Sequence, residues 1–163
     1  NFLSFLKFNG KLRFLYRQLN KKTKKKLDKL NYFYPDWVSG SFIIISKKIF
    51  YEIGKWDERF WMYYEDMDLC KRARNIDKNV LMINDLFCYH FHGLSSRIDY
   101  KTEIKTKTEV LLSKIKYVKK HFTGFNKLLL VYFIYFSILF ELLLFSTFSK
   151  VKRGILLTFL KRI

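Results

Sequence analysis

Residues 54–72 pack five carboxylates (Asp57, Glu58, Glu65, Asp66 and Asp68) and five aromatic rings into a short stretch of an otherwise basic chain. Carboxylates set among bulky rings are partly desolvated, which raises the free energy of the ionised form unless a donor or a cation compensates. Repeated use of that arrangement marks a site where a carboxylate is kept ready for proton transfer. From Asp66 onward, Met67, Leu69, Cys70 and Ala73 recur as one apolar helical face. Glu65 and Asp66 are therefore expected at a helix N-terminus, where free backbone N–H groups and the helix dipole favour negative charge. Asp66, ionised and aimed outward, is the candidate general base, with Glu65 as its alternate. The competing reading is structural: an acidic helix cap in front of an ordinary aromatic core.

A second cluster follows at residues 89–97, where His90 leaves an apolar run and Gly93, Ser95, Ser96 and Arg97 come after it. That order suits a metal or phosphate contact. The two cysteines, Cys70 and Cys88, have no Cys-x-x-Cys spacing and read as free thiols of a reducing compartment.

The chain has 163 residues, 50% of them hydrophobic and 20% aromatic, enough for one domain with a real core. Its 32 Lys and Arg against 14 Asp and Glu leave a net charge of +18, which calls for an anionic partner: phospholipid, nucleic acid or a phosphorylated substrate. Part of the excess reflects a bias toward Lys, Ile and Phe codons. With no recognised nucleic-acid module, specific nucleic-acid binding is not expected. The chain starts on Asn1, so it is expected to be a piece of a longer polypeptide.

Three segments are expected to position these clusters. Residues 1–36 form a basic connecting segment with a lysine run at 21–26. In residues 37–100, a glycine turn at Gly40 enters an apolar β-branched run over 42–45, read as a buried strand. A short helix over 47–53 closes on Gly54, and apolar runs at 80–83 and 86–91 read as two further strands. Strands alternating with short helices predict an α/β fold. In residues 101–163, Ile104, Leu111, Ile115, Val118 and Phe122 predict a long amphipathic helix with a lysine-rich outer face. Residues 128–148 then form an apolar run flanked by Lys127, Lys150, Lys152 and Arg153. Its length permits a membrane span. Glu141, well inside it, argues for a helix lying in the interface, and a buried soluble helix remains open as a third placement.

Taken together, Ser39-Gly40-Ser41, Phe50, Gly54, Asp57-Glu58, Phe60, Tyr63, Glu65-Asp66, Asp68-Leu69, Arg72, His90, Gly93 and Ser95 resemble the acceptor-side half of family 2 inverting glycosyltransferases, most closely the rhamnosyltransferase-like branch. The resemblance is strong over residues 37–97 and looser beyond. It implies the C-terminal half of a Rossmann-like GT-A domain, followed by an amphipathic helix and a hydrophobic helical tail. It also implies transfer of a sugar from a nucleoside diphosphate donor to a hydroxyl of a glycan or lipid-linked acceptor, with inversion. Asp66 or Glu65 would then be catalytic; Gly40, Trp56, Asp57, Trp61 and Tyr63 would shape the acceptor side; Ser95 and Arg97 would touch the diphosphate. His90 would help hold a divalent metal, Mg or Mn, and the protein would rest on the cytoplasmic face of the cell membrane. Departures are Trp56 in place of Phe and a turn at 75–79 without glycine. The larger departure is that no segment before Trp37 matches the family's nucleotide-binding half. A non-catalytic membrane-associated interaction protein and an inactive remnant of such an enzyme are the alternatives.

Overall fold

The computed structural model describes residues 29–90 and 98–163. The elements are β1 (Tyr32–Phe33), α1 (Lys47–Glu52), α2 (Glu65–Arg74), β2 (Met82–Ile83), α3 (Tyr100–His121), α4 (Gly124–Ser146) and α5 (Lys150–Leu160). Among the described residues helix accounts for 56% and strand for 3%, so the expected α/β Rossmann-like architecture is overturned. The reason lies in backbone pairing. A strand is stable when its N–H and C=O groups meet those of a neighbour. Residues 42–45 run extended, with Ile43 and Ile45 packed inward and Ile44 82% exposed, but belong to no ladder. Among the described residues the pairing is confined to one short antiparallel ladder, Tyr32 with Ile83 and Phe33 with Met82. Residues 86–90 likewise carry no strand assignment and are exposed. β-Branched composition specified an extended backbone there; it did not supply partners.

The apolar mass instead gathers between the last three helices. Leu112, Ile115 and Val118 of α3 meet Leu130, Ile134, Ile138 and Leu142 of α4 and Ile155, Leu156 and Phe159 of α5 in one buried cluster. The four α4 residues recur every fourth position, which aligns them as one stripe. Gly154 brings α5 close to α3: a Cβ there would come within 2.3 Å of Ile104 Cδ1. A smaller cluster of Ile53, Leu69 and Ala73, with Ile43, Ile45, Ile49 and Phe50 beside it, fixes α1 and the extended 42–45 segment against α2.

α3 is the layer between these two parts. One face supplies the α4–α5 cluster. The opposite face carries Ser113, Lys116, Tyr117, Lys120 and His121 to α2 and the loop that precedes it. The lysines of α3, read from the sequence as a solvated outer face, thus include two that turn inward.

Candidate functional site

α2 begins as the sequence predicts, with Glu65 and Asp66 in its first turn and Lys71, Arg72 and Arg74 in its last, the charge order that its dipole favours. What positions that turn is less obvious. Tyr63 and Tyr64, immediately before it, both adopt left-handed backbone conformations, with φ of 66° and 70°. Each is disfavoured by about 1–2 kcal/mol for an L-residue, so the surroundings must hold them. Tyr64 lies against the Tyr117 ring at 5.7 Å, and the Met62 carbonyl accepts a hydrogen bond from Ser113 Oγ at 3.2 Å.

Asp66 is half-buried, and both of its oxygens are oriented by backbone. Oδ2 accepts the Gly40 N–H at 3.0 Å and Oδ1 the Met67 N–H at 2.7 Å. A Cβ on Gly40 would lie 3.4 Å from Asp66 Cβ, an ordinary van der Waals contact, so the Gly40 backbone packs directly on the side chain that its N–H orients. Gly40 sits between Ser39 and Ser41, which line a cleft of about 580 Å³. Its walls are largely apolar, formed by residues 38–46 on one side and by 78–83 and Leu86, Phe87 and Cys88 on the other, with Leu69 and Cys70 of α2 also in the lining. Asp66 does not itself line this ligand-sized hollow; it is hydrogen-bonded to Gly40, the residue between two serines that do.

Glu65 has a different environment. Its Oε2 is buried and makes no hydrogen bond among the described residues. Burial pushes its carboxyl above the ordinary glutamate range, and the Asp66 charge adds to the effect. The folded state therefore favours the protonated form. That contribution is complete below the ordinary value of about 4.5 and is lost as pH rises through the folded-state value. Glu65→Gln, which keeps the shape without the charge, is expected to stabilise the protein increasingly from acid to mildly alkaline pH. Urea midpoints for both proteins across that range check it; parallel curves would remove the burial account.

Asp57 was expected in an acceptor pocket. It is tied instead to Arg59, through Nε at 2.9 Å and Nη2 at 2.6 Å, and to Lys120 Nζ at 2.6 Å. The Arg59 contact first, against the opposing effect of burial, then Lys120, hold its carboxyl far below the usual range. Trp56 and Trp61 are 40% and 50% exposed. Trp56 packs edge-on against Phe50, and Lys105 Nζ sits 4.2 Å above the Trp61 ring. Tyr63 is half-buried in the strained turn. His90 is exposed, two residues past the cleft-wall residue Cys88. Ser95 and Arg97 lie outside the described residues. The structure thus brings Gly40, Glu65 and Asp66 together, while Asp57 and Trp61 meet separate lysines of α3, Lys120 and Lys105.

A metal at His90 would need further ligands, and among the described residues no three His, Cys, Asp or Glu side chains converge. The described residues by themselves do not make a metal site at His90. Cys70 is buried and Cys88 exposed, both as free thiols.

The group that sequence reasoning missed is Asp68. It is fully buried, with Oδ2 2.8 Å from Arg72 Nε and Oδ1 2.5 Å from Lys120 Nζ and 2.6 Å from His121 Nε2. An ionised carboxylate only accepts, so His121 Nε2 carries the proton in that bond. Burial alone would raise the Asp68 carboxyl; His121, Lys120 and Arg72 outweigh it and hold it below the ordinary range. Arg72 also donates to the Ile53 carbonyl, and Lys116 Nζ to the Arg59 carbonyl at 2.7 Å. The Asp68–Arg72 spacing of four was a legible helical pair; nothing local announced Lys120 and His121.

Over 45 residues, 28% of this chain, the sequence is 42% identical to the low-salt glycan biosynthesis hexosyltransferase Agl10 of Haloferax volcanii. The matched segment spans 15% of that relative's length, so the likeness covers a part of each protein and reaches as far as glycosyltransferase. No family model matches the chain, and no solved structure does.

Proposed function

We propose that this chain supplies the acceptor-activating part of an inverting glycosyltransferase of the family 2, rhamnosyltransferase-like kind, acting in glycan synthesis at the cytoplasmic face of the cell membrane. The observation that carries the reading is Asp66: a carboxylate oriented by the Gly40 and Met67 amides, next to the Ser39–Ser41 turn that borders a cleft, in a chain that shares a segment with a hexosyltransferase. In the transfer, an acceptor hydroxyl gives its proton to the Asp66 carboxylate while its oxygen bonds to the anomeric carbon. The bond from that carbon to the diphosphate breaks on the opposite side, which inverts the configuration. The diphosphate leaves with the electron pair.

The acceptor is a glycan or a lipid-linked sugar, whose apolar ring faces would pack on Trp56, Trp61 and Tyr63. The donor is a nucleoside diphosphate sugar, with Ser95 and Arg97 as its contacts in this chain. A divalent metal, Mg or Mn, would neutralise the diphosphate, with ligands drawn largely from outside the described residues. α4 is long and apolar enough to cross a membrane, which supports attachment at a lipid surface. One observation favours the second reading, a non-catalytic interaction protein: Asp57 and Asp68 are consumed by ion pairs, so part of the acidic cluster is structural.

The test is to express the polypeptide to which this chain belongs in its genomic context. Its membranes are then supplied with labelled uridine, guanosine or thymidine diphosphate sugars. Label is expected in the lipid-extractable or polymeric fraction from one donor class. Folded, membrane-bound protein that transfers from none of them to endogenous or added acceptors would defeat the reading.

A further inference from the structure

We propose that α4 lies along the plane of one leaflet with its outer face sunk among the acyl chains, and does not cross the bilayer. The inference deepens the membrane attachment proposed above and does not depend on sugar transfer. Length leaves the choice open, because 23 residues extend about 35 Å against a hydrocarbon core of about 30 Å. The neighbours decide it.

The inward stripe of α4, Leu130, Ile134, Ile138 and Leu142, is covered by α3 and α5. The face opposite to it is uncovered and wholly apolar: Phe125, Leu129, Tyr132, Phe136, Phe140 and Leu143 are 51–74% exposed. Phe136 and Phe140 stack on each other at 6.1 Å. Were α4 to stand upright through the bilayer, α3 would stand beside it with Lys101, Lys105, Lys107, Lys114, Lys116, Lys119 and Lys120. Each lysine costs about 2.5–3.5 kcal/mol at the middle of a bilayer. The loop over residues 57–64, fastened to the far side of α3 by Lys116 and Lys120, would be drawn in as well.

Laid flat, the same packing meets no such penalty. Lipid takes the open apolar face, while α3 and the carboxylate site stay on the water side. Glu141, whose place in an apolar run disfavours a span, pairs with Lys152 of α5 along the flank of α4. Cations sit where anionic headgroups would be. Lys127 and Lys150 mark the two ends, Arg153 donates to the Ser146 and Thr147 carbonyls at the C-terminal end, and Lys119 lies over the Tyr135 ring. The occupant this face fits is therefore an anionic phospholipid surface.

A depth measurement tests it. In a Cys88→Ser background, which removes the exposed thiol, an environment-sensitive fluorophore is attached in turn to Phe125→Cys, Phe136→Cys and Leu143→Cys. Each protein is bound to phosphatidylcholine–phosphatidylglycerol vesicles carrying quenchers at graded depths. All three positions are expected to report one shallow depth, about 5–10 Å below the headgroups. Quenching deepest at position 136 and shallow at 125 and 143 would mean that α4 crosses; attachment would stand and the orientation would fall. No quenching at any position would mean that another protein surface, such as a second copy, covers the face, and attachment would fall with it. The double substitution Phe136→Glu and Phe140→Glu, at two side chains that are each 58% exposed, is expected to weaken vesicle binding at least about tenfold. Unchanged binding would also overturn the proposal.

Discussion

Asp68→Asn is expected to lower the free energy of unfolding by about 3–5 kcal/mol, the range for removing one partner of a buried ion pair. The asparagine fits the space, but its amide group must face either Arg72 or the Lys120–His121 pair, leaving a buried cation without its counter-charge. Two elements distant in the chain, α2 and α3, are joined at this carboxylate. The loss should therefore spread to the 57–64 loop, whose Arg59 and Met62 carbonyls depend on α3 donors. Denaturant titration in mild detergent gives the magnitude, and faster amide exchange across α3 and the loop gives the location. A change below about 1 kcal/mol, the scale of an exposed pair, would show that the network is solvated. The same carboxylates set an acid limit. Asp57 and Asp68 are held below their ordinary range, so their stabilising contributions are complete above about pH 4 and are lost as pH falls through the folded-state values.

The difference between Asp66 and Asp68 illustrates what the sequence could and could not disclose. Helix placement was legible because it is local. The apolar spacing in residues 101–122 became α3, and the apolar run after Lys127 became most of α4. Ser46, which accepts the Ile49 N–H, and Gly54, with φ of 82°, bound α1 as their residue types suggest. The carboxylate pair at the start of α2 was legible for the same reason. Partners in space were not. Residues 42–45 have strand-like composition, yet a ladder needs a second chain segment that composition cannot name, and the α/β expectation failed there. Lys116, Lys120 and His121 look, in a lysine-rich helix, like solvated surface; their burial follows from where Asp57 and Asp68 arrive from more than fifty residues away. The left-handed Tyr63 and Tyr64 were invisible because tyrosine carries no preference for that conformation, and the Tyr64–Tyr117 ring contact beside that turn is made across more than fifty residues of chain.

That division also identifies which carboxylate is free to do chemistry. Asp57 and Asp68 are saturated by cations, so neither is available to take up a substrate proton at neutral pH. Asp66 is oriented by two amides and meets no cation among the described residues, and its Gly40 partner lies between two serines of the cleft wall. Asp66→Asn is accordingly expected to reduce kcat for sugar transfer by about 10²–10⁴-fold, the usual contribution of a positioned general base. The substituted amide preserves volume and can still accept one of the two N–H bonds, so acceptor KM and the denaturant midpoint should change little. Glu65→Gln is the discriminating companion. If proton abstraction belongs to Glu65, whose raised affinity for protons suits it to hold one, the large loss moves to that variant and the acid limb of the pH–rate profile disappears with it. If Asp66 is the base, Glu65→Gln retains most of kcat, and Asp66→Asn leaves only a slow residual rate. Full activity in both variants would assign the acidic start of α2 to architecture alone.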